Sequence, residues 1–210
     1  MKKLLTILSF LFITAEFTVS QDLKQVLLDP YYPIDFIGLD FSEVKLIGSP
    51  FDYESAYEVK RRFFPEWNDM FYSQTEKFDV GTFLRKHRVH YSTENMVSIN
   101  DKVDANELIS RRPTKEFTRV KLQEIINNYN FEFENEVAMV FVINSLDKPR
   151  KQTKLNVVFF NTNSKNILLS FLLVTEPGGG GFRNYWINSI YHALEELKKK
   201  EYKKWKKLYK

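Results

Sequence analysis

Apolar and polar positions follow two rhythms along this chain, and the switches between them mark its elements. Residues 34 to 41 (IDFIGLDF) and 44 to 47 (VKLI) are short apolar runs bounded or interrupted by Pro33, Gly38 and Gly48, which predicts strands or a bent strand pair. From Glu54, the apolar residues Ala56, Val59, Phe63, Trp67 and Met70 recur every three or four positions, the stripe of a helix. Pro65 lies inside that stripe and is expected to kink the helix or start a second one, because it has no N–H and its ring crowds the preceding turn. Asp79 is placed to cap a short helix over 80–86, and 88–92 reads as a strand. Residues 93–113 are polar and read mostly as loop, with a turn of helix at 104–109. A helix opening at Pro113 or Thr114 is expected to carry Phe117, Val120, Ile125 and Tyr129 on one side.

Beyond that helix the period becomes that of strands. Val137 to Ile143, Leu155 to Phe160 and Ile167 to Thr175 are rich in Val, Ile and Phe, with turn-like separators at 144–153 and 161–166. The separator Asn161 to Asn166 predicts an antiparallel hairpin. Glu176-Pro177 and the glycines after them end the last strand. A long helix follows, with Phe182, Tyr185, Trp186, Ile190, Ala193, Leu194 and Leu197 on its buried face. The order strand, helix, strand, helix, three strands, helix predicts an α/β (α+β) fold. Its expected form is a mixed sheet with a C-terminal antiparallel meander, helices packed on it and a long C-terminal helix. No linker and no internal repeat interrupts residues 21–210, which read as one globular domain. The closing pattern, VVFFNTNSKNILLSFLLV (157–174) with the helix from Phe182, resembles the small periplasmic domains of bacterial envelope-assembly proteins. These include curli-secretion and cell-wall-synthase activator lipoproteins and the amino-terminal domain of TolB. The resemblance implies a periplasmic assembly domain; this chain departs from the lipoproteins in having no lipid-bearing Cys.

Composition narrows the function classes. The chain has 210 residues, 43% hydrophobic and 28% charged, which excludes disorder and collagen-like repeats. Nineteen Phe and 11 Tyr suit an aromatic core. The absence of Cys removes disulfides, thiolate metal sites and cysteine nucleophiles. Lys2 and Lys3, the apolar run Leu4 to Ile13 and the small residues Thr18 and Ser20 have the layout of a secretory signal peptide over residues 1–20. Cleavage near Ser20 predicts a secreted or periplasmic protein that is not a lipoprotein. No Asn-X-Ser/Thr sequon occurs, in keeping with a bacterial origin.

The formal charge of +4 and the pI near 9.0 misrepresent the body of the chain. Lys198 to Lys210 holds eight lysines and one glutamate, whereas residues 21–197 hold 21 basic and 25 acidic groups. A mildly acidic body argues against nucleic acid as partner. The basic end, with Lys198, Lys199, Lys203, Lys204, Lys206 and Lys207 around Trp205 and Tyr209, suits an anionic membrane or polysaccharide surface. Equally, Tyr202, Trp205, Leu208 and Tyr209 continue the apolar spacing of the preceding helix and can complete the core while lysines solvate its end.

Other candidate chemistry is sparse. Gly178, Gly179, Gly180 and Gly181, between strand and helix with Arg183 close behind, form a candidate anion or partner loop. The loop lacks the third glycine of a dinucleotide fingerprint and the Gly-Lys-Ser/Thr of a P-loop, so no cofactor is expected. His87 and His90 stand three apart, on opposite faces of a strand, and do not make a shared metal site; His192 lies off the apolar stripe. Asp35 with Asp40, and Glu66 with Asp69, are the carboxylate pairs a hydrolase could use. Asp35 and Asp40 face opposite ways on a regular strand unless Gly38 makes a bulge, and Asp40 can instead cap a turn with Ser42. The sequence therefore favours an exported, non-enzymatic binding or assembly domain of the bacterial envelope, contacting a protein or an anionic surface. The alternative is a hydrolase acting on envelope polymers through Asp and Glu side chains.

Overall fold

A computed structural model describes residues 23–209; the predicted signal peptide lies outside the described residues. After a helical segment at 23–28, the first strand, β1 (Ile34–Asp40), runs parallel to β5 (Val137–Asp147), pairing Asp35 with Ala138 and Asp40 with Val142. β2 (Lys45–Ile47) continues along the same side of β5, pairing Lys45 with Ser145 and Ile47 with Asp147. The two apolar runs are thus one interrupted strand. Outside it lie two short parallel strands, β3 (Val89–Tyr91) against β1 and β4 (Ile109–Ser110) against β2. On the other side, β5, β6 (Gln152–Asn161) and β7 (Ile167–Thr175) form the antiparallel meander. The sheet is mixed, as the alternation of elements predicts.

The interruption at 41–44 is held by side chains. At the end of β1, Asn68 Oδ1 accepts from Leu39 N at 2.7 Å, and Asn100 Oδ1 accepts from Phe41 N at 2.7 Å. Both asparagines donate to Leu39 O, at 3.1 and 3.0 Å. Backbone groups that leave a neighbouring strand inside a protein must find partners, and these two buried amides supply them. The register against β5 shifts between Phe36 and Leu39, where Gly38 adopts φ +102°.

Two apolar layers flank the sheet. One holds Phe36, Leu39, Phe141 and Phe159 beneath the helices at 56–73 and 182–208. Helix α1 joins Ala56–Glu58, a π turn at Val59–Phe63 and Phe64–Ser73; the α-helical turns restart at Phe64 with Pro65 in the first turn, where its missing N–H is tolerated, and the π turn before it keeps the helix continuous. Short helices α2 (Thr75–Phe78) and α3 (Val80–Leu84) follow, and Asp79 caps α3 by accepting from Thr82 N at 3.2 Å. The second layer holds Ile37, Val140, Val158 and Phe160 beneath Met96 of α4 (Asn95–Asn100) and Leu122, Ile125 and Ile126 of α5 (Arg119–Asn127).

Two expectations are corrected here. The stretch 93–113, polar in sequence, has the expected turn of helix, a 3-10 turn at Ala105–Glu107, but also contains α4 and β4 where loop was expected; its polar residue Asn100 is what the sheet requires. The helix expected from Pro113 starts at Arg119, because Thr118 supplies the cap to Lys121 N at 3.2 Å. Val120 consequently faces solvent at 69% exposure.

The C-terminal helix, α6, comprises Phe182–Glu196, a π turn at Leu197–Glu201 and Tyr202–Leu208. The π turn keeps its apolar stripe on the sheet, so that Leu194, Leu197 and Trp205 are all buried, whereas Leu208 is 74% exposed.

Gly38 is the position where a side chain has no room. A Cβ there would lie 2.3 Å from Asn68 Oδ1 and 3.1 Å from Thr93 Cβ, on a backbone that L residues rarely adopt. Gly38→Ala is expected to lower stability by about 2 kcal/mol or more in denaturant unfolding.

Candidate binding surfaces and the buried carboxylates

The bulge at Gly38 turns Asp35 and Asp40 to the same face, toward α5, and both are completely buried. Their oxygens are already occupied. Asp35 Oδ2 accepts from Glu134 N at 2.8 Å and Asn135 N at 3.2 Å, and its Oδ1 accepts from Asn135 Nδ2 at 2.6 Å. His90 stands half-exposed between Asp35 Oδ1 and Glu134 Oε1, 3.3 Å from each. Asp40 Oδ1 accepts from Ser42 N at 2.7 Å, the expected turn cap, and Oδ2 accepts from Tyr129 OH at 2.5 Å. Burial pushes the Asp40 carboxyl above its ordinary range, against the lowering effect of these hydrogen bonds. Burial, with the Asp40 charge beside it, likewise pushes the Tyr129 hydroxyl well up. The pair joins β1 to the end of α5. Glu66 accepts from Arg62 Nε at 3.0 Å along α1.

The glycine loop folds back on the start of α6. Gly178 N donates to Tyr185 O at 2.9 Å, and Asn188 Nδ2 donates to Gly178 O at 2.7 Å. Lys77 Nζ holds Asn188 Oδ1 at 2.6 Å, and Trp67 Nε1 donates to Arg183 O at 3.0 Å. Gly179 and Gly181 take positive φ, while Gly178 and Gly180 border open space. The exposed Arg183 guanidinium lies beside Asn184 Oδ1 at 3.4 Å.

At the basic end, aromatic and lysine side chains separate by face. Trp205, 4% exposed, meets Phe159 and Phe171 edge-on, with ring centroids 6.1 and 6.2 Å away, while half-buried Tyr202 carries the Arg85 guanidinium 4.3 Å above its ring. Lys199, Lys200 and Lys204 pair with Glu195, Glu196 and Glu201, and Lys198 Nζ lies 5.5 Å from the Phe83 ring. Exposed Lys203, Lys206 and Lys207 make no ion pair among the described residues. Tyr209 packs half-buried against the core.

Tyr202 also lines an open cavity of about 620 Å³ beside β3, together with Asp79, Arg85, Lys86, His87 and Tyr91. Burial lowers the Lys86 ammonium to about 8, and its Nζ donates to Asp29 O at 2.5 Å. Burial also pushes the Tyr91 hydroxyl up to about 12. Burial would raise Asp79, but hydrogen bonds from Thr82 and Tyr91 outweigh it and hold the carboxyl below its ordinary range. His87 lies at this cavity and His90 beside Asp35, so the structure does not bring them to one site. His192 is exposed, its Nδ1 2.7 Å from Glu176 O. Among the described residues, no cluster of three or more His, Cys, Asp or Glu suits a metal ion, and no helix is long and apolar enough to cross a membrane.

The features that sequence reasoning missed are the buried asparagines, Tyr129 as the partner of Asp40, and this cavity. Its only sequence signal is the basic run Arg85 to Arg88 after the capped helix.

No family model and no curated protein matches this chain. Among solved structures it is similar to the LpoB C-terminal domain from Salmonella enterica, at 10% identity and a TM-score of 0.32, over 76% of this chain and 93% of that one. That is a weak likeness of arrangement.

Asp40 gives a pH signature. Because its folded value lies above the unfolded one, the folded chain retains a proton that the unfolded chain releases, and stability falls as pH rises above the ordinary carboxylate range. Asp40→Asn is expected to flatten this fall, so that urea-unfolding free energies of variant minus parent increase from about pH 4 toward 7.

Proposed function

We propose that this chain is an exported, non-enzymatic binding domain of the bacterial cell envelope, engaging an anionic partner through the lysine face of α6. The observation that carries the reading is the division of that helix: Trp205 and Tyr202 are packed inward, while Lys203, Lys206 and Lys207 project from the same two turns. A cationic face on a helix fixed by its aromatics is pre-organised, so binding costs little ordering of the backbone. The segment Lys2 to Ser20 supports export, with cleavage near Ser20. Asp35 and Asp40, one of the two carboxylate pairs a hydrolase could use, have every oxygen engaged internally.

Deleting residues 198–210 would remove Trp205 from the core, so charge reversal is the sharper test. The triple variant Lys203→Glu, Lys206→Glu, Lys207→Glu is expected to keep the parent melting temperature within a few degrees. Each lysine near an anionic surface contributes about 1 kcal/mol, so partitioning onto phosphatidylglycerol-rich vesicles should fall by about 100-fold or more. Equal partitioning of parent and variant, or none by either, would reject a surface role for these lysines. N-terminal sequencing of the protein recovered from a bacterial periplasm tests export, with Gln21 the expected first residue.

A further inference from the structure

Among the described residues, strand β7 is the last strand of the sheet, and only its side toward β6 is paired. Its two ends are closed by side chains. At the start, Ile167 N donates to Gln123 Oε1 at 3.2 Å and Arg119 Nη2 donates to Ile167 O at 2.5 Å. At the far end, His192 Nδ1 lies 2.7 Å from Glu176 O. Between these stops, from Leu168 to Thr175, no described group bonds the outward backbone, and the window contains neither a charged residue nor a proline. Proteins normally protect an edge of this length with charges, proline, bulges or a covering element. Here, among the described residues, protection is confined to the ends, where a register shift also leaves Leu168 without a partner on β6, and a template of defined length remains between them.

Its side chains are apolar on both faces. Leu169, Phe171 and Leu173 lie on the α6 side, opposite Phe159, Val157 and Leu155 of β6. Leu172 and Val174 lie on the other together with Ser170, and Val174 is 48% exposed. The rim is cationic on balance: Arg119 stands at one end, and the lysine-rich end of α6 lies over the strand through the Trp205–Phe171 contact, against the single exposed carboxylate of Glu176 at the far end. Lys154, opposite Val174, has its charge paired with Glu116 at 3.6 Å.

We propose that Leu168–Thr175 accepts an extended segment of a partner protein as an added antiparallel strand, apolar at alternate positions and flanked by acidic residues. Antiparallel addition continues the β5–β6–β7 meander, with main-chain hydrogen bonds supplying affinity and alternate side chains supplying selectivity. The acidic flanks follow from the rim. A second copy of this chain is disfavoured as occupant for the same reason, since joining two β7 edges brings two lysine-rich helix ends toward each other. The proposal rests on reading the protein as a binding domain, but not on contact with an anionic surface.

The test uses the full chain and a dye-labelled peptide of about eight alternating valines and threonines with glutamates at both ends, matching the window. Amide hydrogen exchange is expected to show about tenfold or greater slowing at outward amides between Leu168 and Thr175. N-methylation along the pairing edge of the peptide should weaken binding by about tenfold or more, and along the opposite edge much less, because only one edge donates to β7. Lysine flanks should weaken it by about fivefold. Val174→Glu, at an exposed position, should weaken the acid-flanked peptide while leaving thermal unfolding unchanged.

Equal binding of both N-methylated peptides, or no β7 protection at saturating peptide, overturns the proposal. So does a homodimer in sedimentation velocity that the peptide dissociates, which assigns the edge to a second copy. Loss of β7 protection with vesicle binding intact rejects strand addition alone, whereas loss of both rejects the binding-domain reading.

Discussion

The architecture depends on how the backbone from Leu39 to Phe41 is satisfied after β1 leaves its outer neighbour. Two side-chain amides, Asn68 from α1 and Asn100 from α4, occupy the place a strand would have taken. Buried peptide groups left unpaired would cost a few kcal/mol each, so the break in the outer column is possible only where both helices arrive in register. With that condition met, one long inner strand can bend at Gly38 and still follow β5 to its end as β2. The outer column is then free to be built from two short pieces, β3 and β4, with the intervening chain forming α4. The same bulge sends Asp35 and Asp40 to one face, where each ties a later segment down: Asp35 the turn at Glu134 and Asn135, Asp40 the end of α5. Two carboxylates that resemble a catalytic pair in the sequence act in the fold as staples.

The other organising element is the C-terminal helix. Its π turn adds the rotation needed to hold Trp205 over β6 and β7 after more than four turns of helix, and that contact fixes the direction in which the lysines point. Charge and aromatic packing, adjacent along the chain, are separated in space. The cationic face therefore lies close to the edge strand β7, on which Trp205 packs through Phe171.

Much of this was legible in the pattern of residues. The meander and the stripe of α6 follow from periodicity because β5 to β7 and the last helix each present a regular face to one continuous core. The cap at Asp79 was legible because it is local. Pro65 marked a real irregularity, a π turn followed by a fresh α-helical start, but that the helix stays continuous across it was not legible. The polar stretch 93–113 misled because Asn100 is polar for the sake of the sheet, not of solvent.

The sequence by itself determined the α/β class, the aromatic core and the segregation of positive charge into the last thirteen residues, since composition and period are properties of the chain alone. Only the tertiary structure decided that two apolar runs share one line along β5, that Asp40 meets Tyr129 across 89 residues, and that β7 keeps an open edge beside the lysines. Each of these is a pairing between distant segments. Which backbone groups find partners, and which are left to face outward, is set by where those segments meet in space.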